Sequence, residues 1–317
     1  MDKGNTSLDQ LFVQALDRLV PEFKTNDEIL GLAVSGGPDS LALLLLAKRA
    51  YPGKIAAATV DHGLRPASRS EAEFVASLCA EHDISHAILR PVVPIRGSIQ
   101  SAARQARYGL LNDWMKDQHI HWLATAHHAD DQLETMIMRI LRGSGIDGMS
   151  GIREKRGNII RPLLHIQKPE LESYVVSYKI DAVNDPSNQD QSYDRVRVRN
   201  ALQDLEGFDT SLASQSASAL SAAREAIEWI VEQLAVDHLR TTDTGCELSK
   251  PDFPHEIQRR LLLRCLHICQ PALSPRGGQI DQTIIALQKG EKVTLGDILC
   301  QGGGNWVFQI APKRRNS

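Results

Sequence analysis

The feature that most constrains this chain is a break in an apolar run. Residues 29–34 (ILGLAV) read as a buried strand and residues 41–47 (LALLLLA) as a buried helix, with Ser35, Gly36, Gly37, Pro38, Asp39 and Ser40 between them. Two glycines let the backbone turn sharply and approach a ligand with no side chain in the way. The unpaired amides at the helix start then present positive partial charge, which favours an anion. Pro38 costs no hydrogen bond in a first turn, Ser35 and Ser40 add hydroxyls, and Asp39 can cap the helix or hold a magnesium ion. The break reads as an anion cradle. It is of neither common kind, because the chain carries neither Gly-x-x-x-x-Gly-Lys-Ser/Thr nor a Gly-x-Gly-x-x-Gly after a strand.

Around the cradle the pattern alternates. After a helix over Leu8 to Leu19, strands are expected at 29–34, 54–60, 86–89 and 121–125. Helices are expected at 39–50, 70–81, 99–116 and 130–141, the second opened by the capping box Ser68-x-x-Glu71. Strands spaced by helices cannot pair as hairpins, so the expected fold is α/β, a doubly wound parallel sheet. Such sheets bind ligands at the carboxyl ends of their strands. Three polar clusters fall there: Ser35 to Ser40, Asp61 to Arg65, and His127 to Glu134.

Near residue 205 the composition shifts to a small-residue linker and a long helix. Helices over 256–269 and 279–288 follow, then two strands around a Gly-rich turn. Two domains are expected, a catalytic one over 1–205 and a mainly helical α+β accessory domain over 206–317, to which the family resemblance given below adds tRNA binding.

Composition narrows the class. Of 317 residues, 42% are hydrophobic and 24% charged, as in globular proteins, and no apolar run approaches the roughly 20 residues of a bilayer span. No membrane partner and no secretory leader are read, and the five scattered cysteines fit a cytoplasmic protein better than a disulfide framework. The net charge of −3 hides a local excess: Arg139 to Lys168 carries seven basic residues against Asp147 and Glu154, a stretch that would draw a polyanion.

The densest chemistry is ATAHHADDQLETMIMRILRGSG, residues 124–145. Asp130, Asp131 and Glu134 open a helix, where acids suit the dipole, yet three carboxylates beside two histidines exceed that need. The cluster could take a hard cation bridging phosphates, or an ammonium substrate. Zinc is the weaker reading, since a phosphate site favours magnesium and oxygen ligands. In DRVRVR, residues 194–199, Arg195, Arg197 and Arg199 would share one side if extended and reach phosphates.

SGGPDS resembles the pyrophosphate loop of the PP-loop ATP pyrophosphatases. With VDHGLR (60–65), ARQARYGLL (103–111), RPLL (161–164) and DPSNQDQSYDRVRVR (185–199), the pattern resembles the tRNA(Ile)-lysidine synthetases over residues 29 to about 202. The family's usual Tyr-x-Arg-Asn-x-Ile-Arg departs here to Tyr193, Arg195, Val196, Val198 and Arg199.

The resemblance implies an ATP-dependent ligase that adenylates the wobble cytidine of the CAU-anticodon isoleucine tRNA and attaches L-lysine. ATP and Mg2+ are the cofactors it implies, with that tRNA and lysine as partners and a homodimer left open. Ser35 to Ser40, Asp61 and His62 would bind ATP, Asp39, Asp130 and Asp131 the magnesium ion. Asp130, Asp131 and Glu134 would meet magnesium or the lysine ammonium. Arg104 and Arg107 would meet developing phosphate charge, and Arg65, Arg139, Arg142, Arg195, Arg197 and Arg199 the tRNA. The rivals are a PP-loop tRNA thiolation enzyme, for which the first half offers only Cys79, and a non-catalytic nucleotide-binding regulator.

Overall fold

The computed structural model describes residues 7–25, 27–63, 67–92, 99–183, 194–203 and 210–311. Arg65 and Tyr193 lie outside the described residues.

The first unit starts with α1 (Leu8–Leu19), whose cap is Ser7 in a reciprocal box with Gln10, and which buries Phe12, Leu16 and Leu19. A 3-10 turn (Pro21–Lys24) leads to β1 (Leu30–Ala33), α2 (Pro38–Ala50), β2 (Ile55–Val60), α3 (Ala67–Glu81) and β3 (Ser85–Leu89). Next come α4 (Ile99–Asp117), β4 (Trp122–Ala124), α5 (Ala129–Ile140) and the single turn α6 (Ile146–Met149). The short strands β5 (Lys155–Arg156) and β6 (Ile159–Ile160) precede α7 (Lys168–Ser177) and α8 (Asp194–Gln203).

The sheet runs β3-β2-β1-β4-β6-β5, parallel throughout except for the β5–β6 pair. The unbroken apolar run of α2 has a packing cause. Every residue from Ser40 to Ala47 is buried, because α2 meets the sheet together with α1 and α7.

The β-α alternation is as the sequence predicts, with ends moved by a residue or two and the start of α3 by three. Two local readings change. Ser68 sits inside the first turn of α3 rather than at its cap, and its hydroxyl donates to Asp61 instead, at 2.7 Å. The arginine-valine stretch is helical, part of α8, so Arg195 and Arg199 align at i, i+4 while Arg197 does not.

The second unit begins at Ala222, inside the long helix α9 (Thr210–His238). It continues through β7 (Leu239–Thr242), β8 (Gly245–Ser249), α10 (His255–Cys269), α11 (Gly277–Gln288), β9 (Lys292–Leu295), β10 (Ile298–Gln301) and β11 (Asn305–Ile310). Its sheet is antiparallel, ordered β7-β8-β11-β10-β9. Helices α10 and α11 cover it. Leu261, Leu262, Ile284, Trp306 and Phe308 form a separate core there, together with Cys246, Cys265 and Cys300.

Candidate functional site

The site grows from the end of β1. Gly36 has φ +89°, open to glycine at no steric cost, and its carbonyl accepts the Val183 N–H at 2.9 Å. Gly37 caps α2, Pro38 fills the first helical position, and no side chain caps the helix start. The hydroxyl of Ser40 staples the loop: it accepts from the Ser35 N–H at 3.1 Å and donates to the Gly37 carbonyl at 2.9 Å. A fixed loop with uncapped first-turn amides is suited to an anion.

Strand β1 lies between β2 and β4, so the chain order reverses at the β1–β4 boundary. Ligand crevices form at such reversals. The histidine pair of the β4–α5 turn sits there.

His128 is buried and caps α5. Its Nε2 lies 3.6 Å from Asp39 Oδ2 and 3.5 Å from Asp131 Oδ2, and its Nδ1 lies 3.6 Å from Asp130 Oδ2. Burial would push this imidazole down, but Asp130, Asp39 and Asp131 together outweigh it and hold it up at about 10. His128 is thus an imidazolium at neutral pH, joining the cradle's Asp39 to the acids of α5. Burial would raise the Asp130 carboxyl, yet His128 and the Lys168 N–H, 2.9 Å away, keep it below the usual carboxylate range.

Helix α8 closes the acidic side. Arg195 pairs with both Asp131 and Glu134, and Arg199 pairs with Glu134 at 2.6 Å. Glu134 is only 2% exposed, so it anchors two guanidiniums rather than opening to a ligand. Arg197 pairs with Asp194, as does Arg142, while Arg139 is exposed at the end of α5.

The other histidine faces the opposite charge. His127 bonds Thr125 Oγ1 at 2.9 Å. Burial pushes it down to about 3, with Arg161, Arg195 and Arg104 adding to the effect against Asp131. Arg104 and Arg107 of α4 stand over the Tyr108 ring, 5.1 and 5.5 Å from its centroid.

Asp61 at the end of β2 accepts from Gly63 N–H, Ser68 and Arg90 at 3.0, 2.7 and 3.0 Å, which makes it a turn organiser. Burial lowers His62, with Arg107 adding to the shift, and its Nδ1 is buried without a partner. Two adjacent histidines therefore divide the crevice into an acidic half and a basic half.

Among the described residues no three His, Cys, Asp or Glu side chains form a ready metal cage. A magnesium ion needs none, since it takes one or two carboxylates plus phosphate oxygens and water. Asp39 Oδ1 is buried without a hydrogen-bond partner. That orphaned oxygen fits such a role, while Asp131 is already engaged by Arg195.

The PP-loop domain family model matches residues 6–206, well over half of the chain. A tRNA(Ile)-lysidine synthase from Zymomonas mobilis subsp. mobilis is 39% identical over 298 residues, spanning 91% of this chain and 90% of the relative. The enzyme of the same name from Rhodopseudomonas palustris is 36% identical, covering 94% of each chain. The chain belongs to the tRNA(Ile)-lysidine synthase family of PP-loop proteins.

Among solved structures, the U34-tRNA thiolase NcsA from Methanococcus maripaludis, with its 4Fe-4S cluster, superposes with a TM-score of 0.57. At 17% identity, over 69% of this chain and 78% of that one, it shares the fold.

The sequence brought forward most of the crevice: the cradle, Asp39, the acids of α5 and the arginines of α4. It did not single out Tyr108, and it placed Arg161 only within the basic stretch expected to grip the tRNA. Arg161 carried a signal, since a charge inside IIRPLL has to be paired or functional if that run is buried.

Proposed function

We propose that the chain is a tRNA(Ile)-lysidine synthase acting in the cytoplasm. ATP adenylates the 2-oxygen of the wobble cytidine in the CAU-anticodon isoleucine tRNA with release of pyrophosphate, and the side-chain amine of L-lysine then displaces AMP. A cytosine carbonyl oxygen leaves poorly and AMP leaves well, which is why the activation is needed. The observation that carries the reading is the 3.6 Å contact of His128 with Asp39, which brings the anion cradle and the acid-bearing helix α5 to one crevice.

Each half of the crevice has a task in this reaction. Ser35 to Ser40 receive the pyrophosphate end of ATP on the amides of α2. Asp39 holds magnesium through its free oxygen, with Asp130 and Asp131 close by, and the ion would supply charge neutralisation on the phosphates. Arg104 and Arg107 face the charge that develops on the transferred phosphoryl group. Asp130 and Asp131 offer negative charge to the incoming lysine ammonium. Attack requires the neutral amine, although free lysine titrates near about 10.4, so this acid-lined crevice also has to take its proton. Exposed Arg139, with Arg142 and Arg197 at the rim, meets the tRNA.

Thiolation is less well supported. The one cysteine of the first unit, Cys79, is buried in α3 and its thiol is pushed up to about 11 by burial, the reverse of an activated sulfur.

The test is incorporation of labelled lysine into unmodified isoleucine tRNA bearing CAU, with ATP and magnesium. Folded protein that transfers no lysine rejects the reading, and AMP release with a different acceptor reassigns the substrate within the same chemistry.

A further inference from the structure

The acids of α5 are held from outside their own helix. The Ile166 carbonyl accepts the Ala129 N–H at 2.9 Å, and the Lys168 N–H donates to Asp130 Oδ2 at 2.9 Å, so residues 161–168 form a strap along the helix start. Residues 161–164 and Ile166 are buried, and within 161–166 His165 alone is exposed.

That exposed imidazole is held at both nitrogens. Its Nε2 donates to Glu154 Oε1 at 2.7 Å, and its Nδ1 lies 2.7 Å from Ser214 Oγ near the start of α9. Each partner is fixed in turn. Glu154 is paired twice by Arg18 of α1, and its backbone carbonyl accepts the Arg161 N–H at 2.9 Å. Ser214 is 1% exposed, and its hydroxyl donates to the Leu164 carbonyl at 3.0 Å.

Serine, histidine and glutamate so linked resemble the wiring of an activated nucleophile, but the ring is reversed, with Nδ1 rather than Nε2 toward the hydroxyl. Ser214 is also buried, with its proton directed to a carbonyl. The relay therefore holds the strap and does not react. Apolar burial of the strap is non-directional, whereas the two short bonds of His165 fix where its backbone stands. That matters at the other side of the strap. Asp39, Asp130 and Asp131 crowd His128 within 3.6 Å, and like charges so close keep a given spacing only if their support is rigid.

We propose that His165, clamped between Glu154 and Ser214, is a positioning residue for the acids of α5: it fixes the strap that holds the helix start and Asp130, and thereby sets the affinity of the acidic half for its amine substrate. The inference rests on the proposed lysine transfer for the identity of that substrate only.

Two variants of the full chain test it. Ser214→Ala removes the hydroxyl at a helical position that alanine suits. His165→Gln keeps a donor for Glu154 and gives up the second contact. Each is expected to raise the KM for lysine about fivefold, the equilibrium worth of one lost hydrogen bond, with the KM for ATP unchanged. Hydrogen exchange on the same proteins should quicken about fivefold at the Ala129 and Lys168 amides and stay parent-like in β2. If one variant does not fold, the other answers the same question. KM values for lysine and ATP that rise together would mean a general loosening and overturn the proposal. A raised lysine KM without faster exchange at those two amides would overturn it as well, as would faster exchange with a parent-like lysine KM. If the parent itself transfers no lysine, the functional reading fails, and parent-like exchange in either folded variant then removes the relay on its own.

Discussion

At the scale of single residues, the two loop glycines separate folding from ligand approach. A Cβ on Gly36 would meet Val183 at 3.1 Å and Val75 at 3.3 Å, on a backbone at φ +89°. Gly36→Ala should therefore lose about 1–3 kcal/mol of stability along with ATP binding. A Cβ on Gly37 would meet only Ser35 Oγ, at 3.8 Å. Gly37→Ala is expected to melt like the parent and yet bind ATP more weakly, because the added methyl would intrude on the phosphate. Calorimetry and nucleotide titration of both variants decide this. An equal effect of the two on stability would remove the argument.

Glu154 makes a different single-residue point. Burial would raise its carboxyl, but a bidentate pair with Arg18 and a 2.7 Å contact to His165 hold it down at about 2. Its folded value lies below the ordinary 4.5, so its contribution is present above about pH 4.5 and fades as pH falls toward about 2. Glu154→Gln should be less stable than the parent near neutrality, and the gap should close on acidification. Urea denaturation at a series of pH values tests it. Little of this was legible beforehand: Glu154 was counted as one of two acids inside a basic stretch, and its partner Arg18 lies in α1, far away in sequence.

At the scale of elements, α8 shows how a short pattern can be read with two periods. Arginines alternating with valines fit a strand, but Arg195 and Arg199 also stand at i, i+4, and what decides between the periods is the buried Glu134 of α5. The partner was outside the window of any local reading. Replacing Arg195 and Arg199 together by methionine strands a buried carboxylate, a change worth about 3–5 kcal/mol in fully buried settings and less here because both guanidiniums are partly solvated. Adding Glu134→Met to that pair should recover most of the loss. Chemical denaturation of the double and triple variants is the check, and a triple variant no more stable than the double would show that the pairs do not hold α8. By contrast α2 was legible from end to end, since the buried stretch from Leu41 to Ala47 leaves its mark as an unbroken apolar run.

At the scale of the molecule, the first unit announced itself through long helices between apolar strands, whereas the second concealed most of its sheet. Strand β8 buries only Cys246 and Leu248 on one face, and the edge strand β7 is largely exposed, so neither forms an apolar run. Strands β9 and β10 are joined at Asp297 and Gly296, φ +60°, a tight turn that a reading of KVTLGDILC as one strand passes over.

The division has a consequence for function. Every residue placed in the crevice lies before Ser221, while Trp306, 1% exposed, belongs to the core of the second unit. Truncation of a buried tryptophan costs about 3–5 kcal/mol. Trp306→Ala should lower the melting of the second unit and leave the ATP affinity of the first as it was. If the second unit supplies part of the tRNA grip, lysine transfer in the same variant should fall above the second unit's melting temperature through a higher KM for tRNA. Calorimetry, nucleotide titration and tRNA-dependent kinetics on that one protein decide the matter. A loss of ATP affinity in step with the second unit's unfolding would mean that the two cores are not independent. An unchanged KM for tRNA at a temperature where the second unit has unfolded would assign the whole grip to the first.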